Sequence, residues 1–319
     1  MSDTLVTLEP LLLENGERLP FRISHRRHGE GIRKVLLVHA LTGGPDAADR
    51  EGVKGWWGPL FAPGRPLDPR HCTVWTPNLI GSCYGSTGPE KGRPFPPLTP
   101  RDQAAALVEW IRALNLDFDL VAGGSLGAMV ALELAALAPE RFKAVGVIGS
   151  GGRSDAWIVG WCHAQLSILR SALPDDQALA LARQFEMLSF RAPASLDARF
   201  PGGTDLAAWL DFHGNALAAR FTRETLTVLL EAMEAFDLGR GRGGLANALR
   251  GLPPIHILGI DSDQLFAPAL LRELADAARI AGCFGSLEWL HSPHGHDAFL
   301  IEWDQVSAWL RSLEDDPSV

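Results

Sequence analysis

Three short blocks of this chain hold the residue types that acyl chemistry needs. "GGSLG" places Gly123, Ser125 and Gly127 in the spacing G-x-S-x-G, "GIDSDQLF" carries Asp261 and Asp263, and "HSPHGHDAF" carries His291, His294 and His296. A serine hydroxyl is a weak nucleophile. It becomes useful when an imidazole takes its proton and a carboxylate orients that imidazole. In one fold that builds this trio, the order along the chain is serine, acid, histidine, with each partner at the end of a later strand. The serine spacing alone says little, since ordinary residue frequencies produce a match in a chain this long roughly one time in ten. Most single histidines are surface or core residues; His296 is selected because order, strand-end position and loop setting coincide. Spacing leaves Asp261 and Asp263 both open.

The reaction also needs donors for the oxyanion that develops on the attacked carbonyl. The N–H of Leu126, directly after the serine, is one candidate. The loop "HALTGG" (39–44) offers a second in the N–H of Leu41, since such a donor comes from the loop after an earlier strand.

The surrounding elements must hold these groups together. "KVLLVHA" (34–40), "CTVWTPNL" (72–79), "FDLVAGG" (118–124) and "KAVGVIGSG" (143–151) are short, apolar runs suited to strands buried on both faces of a parallel sheet. "TPRDQAAALVEWIRALNL" (99–116) predicts a helix capped by Thr99, with Pro100 in its first turn. The run after Ser125 is apolar almost all round, so its helix should be deeply buried. Residues 8–27 predict a hairpin around "ENGE", and "PPIHILGID" and "SLEWLHSP" resume the strand signal late in the chain. The rhythm is that of an α/β fold, a mostly parallel, doubly wound sheet. From about Arg153 to Gly239 it gives way to helical runs. The expected organisation is therefore a discontinuous core, residues 1–153 and 240–319, with a helical lid inserted over 154–239, the chain returning through "GRGRGG" (239–244).

Bulk properties exclude other classes. A net charge of -9 leaves no basic surface on the scale a nucleic acid demands. Arg240, Arg242 and Arg250 form the nearest cluster and read as a solvated loop, or more weakly as a contact for a phosphorylated small molecule. The four cysteines lack zinc-ligand spacing and suit free thiols in a reducing compartment. The first residues do not resemble a signal peptide, and no apolar run approaches membrane length. A cytoplasmic, membrane-free protein with no metal is expected.

"VHALTGG", the tryptophans at 56–57, "NLIGSCYGSTGP", "FPPLTPRD", "GGSLG", "DSDQLF" and "HGHDAFL" together resemble, in order and from about residue 8 to the end, the homoserine O-acyltransferases of the α/β-hydrolase superfamily, the MetX type. "YGSTGP" and "GHDAFL" are far more specific than the serine spacing. The resemblance implies an α/β-hydrolase fold and transfer of an acetyl or succinyl group from acyl-coenzyme A, a co-substrate, to the hydroxyl of homoserine in methionine biosynthesis. It selects Asp263 over Asp261 and His296 among the histidines. It also implies that Asp297 binds the acceptor's ammonium, that Arg183 binds its carboxylate, and that the protein is a homodimer. The helical stripe expected around that arginine, Ala178, Leu181, Ala182 and Phe185, leaves Arg183 on its flank, where an exposed, functionless arginine is the competing reading. The chain departs from the family in a shorter lid before Arg183, in Phe190 where a tyrosine is usual, and in Leu126, Ala128 and Val130 beside the serine. The same trio would serve an esterase, a thioesterase or transfer to another hydroxy amino acid such as serine. A non-catalytic binding module is a third reading.

Overall fold

The computed structural model describes residues 4–314. Its strands are β1 (Thr4–Leu12), β2 (Arg18–His28), β3 (Arg33–Val38), β4 (Cys72–Pro77), β5 (Phe118–Gly124), β6 (Phe142–Ile148), β7 (Ile255–Ile260) and β8 (Phe284–Leu290). Its α-helices are α1 (Pro100–Ala113), α2 (Leu126–Leu137), α3 (Ala156–Leu169), α4 (Asp175–Phe190), α5 (Pro193–Arg199), α6 (Leu206–Ala218), α7 (Arg223–Glu234), α8 (Leu245–Ala248), α9 (Pro268–Ala281) and α10 (Trp303–Ser312). The eight strands form one sheet in the order β1-β2-β4-β3-β5-β6-β7-β8. The β1–β2 and β2–β4 pairs are antiparallel, and every later pair is parallel. This is the α/β-hydrolase fold.

The apolar runs become strands because both faces of the sheet are covered. Leu36 and Val38 of β3 point into one core layer with α1, α2 and α9, while Val35 and Leu37 point into the other with Trp57, Leu60 and α10. The order β4-β3-β5 contains the topological switch, where the chain leaves β3 on one side and returns on the other. Crevices at the carboxyl ends of strands flanking such a switch are where open α/β sheets bind ligands. The serine follows β5 and the "HALTGG" loop follows β3, neighbouring strands at this switch.

Helix α1 starts as its sequence predicts. Thr99 accepts from the Asp102 N–H, and the Asp102 carboxylate accepts in return from the Thr99 N–H, a reciprocal capping box, with Pro100 in the first turn. Helix α2 is buried along nearly its whole length. Its single acidic residue, Glu133, is 2% exposed and is held by Arg101 at 3.2 Å and Arg242 at 2.7 Å. Arg240 pairs with Glu14 at 2.9 Å. The reading of Arg240, Arg242 and Arg250 as a solvated loop is corrected for Arg242, which neutralises a buried carboxylate and ties the returning chain to the core, whereas Arg240 and Arg250 are exposed as expected.

Between β6 and β7 the chain contributes helices α3 to α8 and no strand. Helix α4 packs against α3, α6 and α7. Its buried row is Ala178, Ala182 and Glu186, with Leu179 and Met187 beside it, whereas Leu181 is 43% exposed. Ala178 and Ala182 of the expected stripe are buried, but Leu181 is not and Phe185 is only half-buried, because the row turns toward a carboxylate, Glu186, that a hydropathy pattern rejects. Among the described residues no helix is long and apolar enough to cross a membrane.

Candidate active site

Ser125 sits between β5 and α2 with φ 57° and ψ -126°. An L-residue in that region costs about 1–3 kcal/mol and persists only where its surroundings impose it. Neither Gly123 nor Gly127 has positive φ; the serine itself takes the strain. The glycines allow close approach instead. A Cβ on Gly123 would lie 2.3 Å from the Gly127 carbonyl carbon, and one on Gly127 would lie 2.2 Å from the Val38 oxygen. The Ser125 N–H is fixed by the Ile148 carbonyl at 2.9 Å. The hydroxyl therefore stands at the amino end of α2, where the helix dipole favours negative charge.

The acid and the histidine come from the ends of β7 and β8. Asp263 Oδ1 accepts from the N–H groups of Leu265 and Phe266 at 2.8 and 2.9 Å, and Oδ2 meets His296 Nδ1 at 2.7 Å. His296 is 3% exposed and walled by Phe190, Phe266 and Phe299. Burial disfavours its charged form, but the adjoining charge and hydrogen bond of Asp263 outweigh burial and raise its pKa above the ordinary value. The ring lies against the backbone beside Ser125: a Cβ on Gly149, which follows Ile148, would come within 3.3 Å of His296 Cε1. His296 Nε2 is buried and without a hydrogen-bond partner, so the serine hydroxyl is not bonded to it in this arrangement. Catalytic hydrogen bonds of this kind are often long without substrate.

Asp261 belongs to a different pair. It meets His291 Nδ1 at 2.8 Å, with both side chains substantially exposed. His294 instead reaches helix α5, its Nδ1 2.9 Å from Ser195 Oγ. The three histidines thus have three destinations, and only His296 turns inward to a buried carboxylate.

The loop after β3 runs directly against the start of α2, as the Gly127 contact with Val38 requires. Leu41 lies within a turn closed by the Gly43 N–H and the Ala40 carbonyl, 2.9 Å apart, which leaves the Leu41 N–H unused by that bond. Leu126 contributes the first N–H of α2, which has no intrahelical acceptor. His39, a residue the sequence did not single out, fixes this loop. Burial drives its pKa down to about 4, so the ring is neutral, with Nδ1 on the Ala40 carbonyl at 2.8 Å and Nε2 accepting from the Leu79 N–H at 3.1 Å. The tryptophan pair completes the clamp: Trp56 Nε1 donates to the Gly44 carbonyl and Trp57 Nε1 to that of Phe299.

From α4, Phe190 touches the His296 ring, and the Arg183 guanidinium lies 5.5 Å from the Phe190 ring centroid. The Arg183 side chain is 15% exposed, so it is not a free helix-face arginine. Its Nη1 donates at 2.8 Å to Glu186, a completely buried carboxylate whose pKa is pushed up by burial against the pull of that arginine. Glu186 was missed because no spacing rule distinguishes a buried acid from a solvated one. Asp297 lies 3.2 Å from Arg191 Nε. Both charged residues that the resemblance assigns to the acceptor thus already have a partner within the protein.

The α/β-hydrolase fold family matches residues 34–302. A homoserine O-acetyltransferase of Thermus thermophilus is 42% identical, covering 95% of this chain and 88% of its own length. One from Mycolicibacterium smegmatis is 36% identical, covering 96% and 91%. Among solved structures, a homoserine O-acetyltransferase from Staphylococcus aureus superposes with a TM-score of 0.86 at 24% identity, over 99% of this chain and 96% of that one. An acetylester hydrolase from Corynebacterium glutamicum reaches 0.83 at 17% identity, over 98% and 95%.

Proposed function

The chain belongs to the homoserine O-acetyltransferase family of the α/β hydrolases, and from that premise we propose that it moves an acetyl group from acetyl-coenzyme A to the hydroxyl of L-homoserine, in the service of methionine biosynthesis. The observation that carries this reading is the buried Asp263–His296 pair beside a serine held at φ 57°. His296, oriented by Asp263, takes the Ser125 proton as the oxygen attacks the thioester carbonyl. The N–H groups of Leu41 and Leu126 stabilise the oxyanion. His296 returns the proton to the departing thiolate, leaving an acyl-serine. The acceptor hydroxyl then attacks that ester with the same imidazole as base, and Ser125 is regenerated.

Arg183 holds the acceptor's carboxylate and Asp297 its ammonium, which fixes the hydroxyl near the acyl-serine and helps it outcompete water. Because Glu186 occupies only Nη1 of Arg183, the rest of the fork can take a carboxylate. Residues 154–239 act as the lid over this site. We further propose a cytoplasmic homodimer: the cysteines are free thiols, and Leu181, Leu188 and Phe212 expose apolar surface on the packed pair α4 and α6.

An esterase or thioesterase would use the same three residues, and a solved esterase shares this fold. Following thiol release from acetyl-coenzyme A with and without homoserine or serine separates the readings. The transferase releases thiol continuously only with an acceptor. Rapid turnover in water alone would establish the hydrolase, and a preference for serine would reassign the acceptor.

A further inference from the structure

A cavity of about 420 Å³ opens where α5 and α6 meet the loop that carries His296. Arg191, Arg199, Trp209, Ser195 and His294 line it, and no carboxylate does. Arg199 has no ion-pair partner among the described residues; its guanidinium lies 5.5 Å from the Trp209 ring, with that of Arg191 at 5.9 Å. Arg191 pairs with Asp297 at 3.2 Å, which leaves Arg199 as the cation beside the indole without an ion-pair partner among the described residues. His213, whose ring is 4.6 Å from that of Trp209, has a lowered pKa, through burial first and then through Arg183 and Arg191. Guanidinium forks recognise phosphate oxygens, and guanidinium planes and aromatic faces pack against purines. The volume falls in the range of small-molecule sites.

We propose that this cavity holds the phosphorylated adenine end of the acyl-coenzyme A donor, with Arg199 and Arg191 on phosphate and Trp209 against the base. The inference rests on the acyl-transfer reading and extends it. The cavity lies against the loop that carries His296: Pro293 and His294 line it, and Arg191, which lines it too, pairs with Asp297. Binding energy from a remote, unreacting part of a substrate can position its reacting end.

The test compares Arg199→Ala and Trp209→Ala with the parent enzyme, using acetyl-coenzyme A and acetyl-pantetheine, which carries the same thioester without the nucleotide. Losing one phosphate contact should raise the KM for acetyl-coenzyme A about tenfold in Arg199→Ala, leaving kcat and all acetyl-pantetheine kinetics unchanged. The adenosine bisphosphate portion of coenzyme A should compete with acetyl-coenzyme A on the parent enzyme and lose that competition on Arg199→Ala. Equal changes with both donors, or no change with either, overturn the proposal. If the parent enzyme uses neither donor, the acyl-transfer reading fails instead. Calorimetric binding of adenosine bisphosphate to parent and variant then tests the cavity by itself, equal or absent binding counting against it.

Discussion

Replacing Asp263 by asparagine changes one buried atom pair and should remove nearly all activity. The carboxylate oxygen that takes the Leu265 and Phe266 N–H groups has an amide counterpart, so the loop keeps its shape. The other oxygen, 2.7 Å from His296 Nδ1, becomes an NH2 group. A donor facing Nδ1 forces the ring proton onto Nε2, which can then no longer accept from Ser125. The same exchange in a serine protease lowers kcat about 10⁴-fold, equivalent to about 5 kcal/mol of barrier, and a loss of that order is expected here. A second signature accompanies it. The charge that raises the His296 pKa disappears while burial remains, so any residual activity should titrate at lower pH. Acceptor-dependent thiol release measures both effects. Asp261→Asn is the control, because Asp261 serves His291 on the surface and its variant should stay within about twofold of the parent. If Asp263→Asn kept more than a tenth of the activity, or if Asp261→Asn proved the more damaging, the assignment of the acid would be refuted.

Three further outcomes follow from the same structure. The acid limb of kcat/KM should fall above pH 6.5, because a raised His296 pKa means that the neutral base is lost as pH drops through that value; a limb below 6.5 in a pH–rate profile would contradict the electrostatics. Ser125→Gly should abolish turnover yet raise the urea midpoint, since glycine adopts φ 57° without the strain of about 1–3 kcal/mol carried by serine; an unchanged or lower midpoint would mean the elbow is unstrained. Glu133→Ala should destabilise the fold by about 2 kcal/mol in denaturant titration, less than a fully buried pair because Arg101 and Arg242 can partly rehydrate; a neutral result would make that network ornamental.

Much of this architecture was legible because sheet positions impose simple patterns. Strands covered on both faces must be short and apolar, and the loops at their carboxyl ends must carry the polar residues, so β3, β5, β6, β7 and the serine-acid-histidine order stood out. Spacing could not separate Asp261 from Asp263, two residues apart on one loop; what separates them is that one side chain turns inward and the other toward solvent. The lid was harder. A helix packed among helices has no fixed face, and α4 places a glutamate in its buried row, so the expected stripe held at Ala178 and Ala182 and missed at Leu181. The strained φ of Ser125 was not legible, because the spacing G-x-S-x-G names residue types and carries no dihedral angle. His39 looked like any other histidine until its loop was folded against Leu79.

Intact-mass analysis of the enzyme mixed with acetyl-coenzyme A, without acceptor, goes to the centre of the account. One acetyl group should appear per chain, map to the peptide containing Ser125, vanish on addition of homoserine, and never form on Ser125→Ala. Acetylation elsewhere, or thiol release that continues in Ser125→Ala, would contradict it.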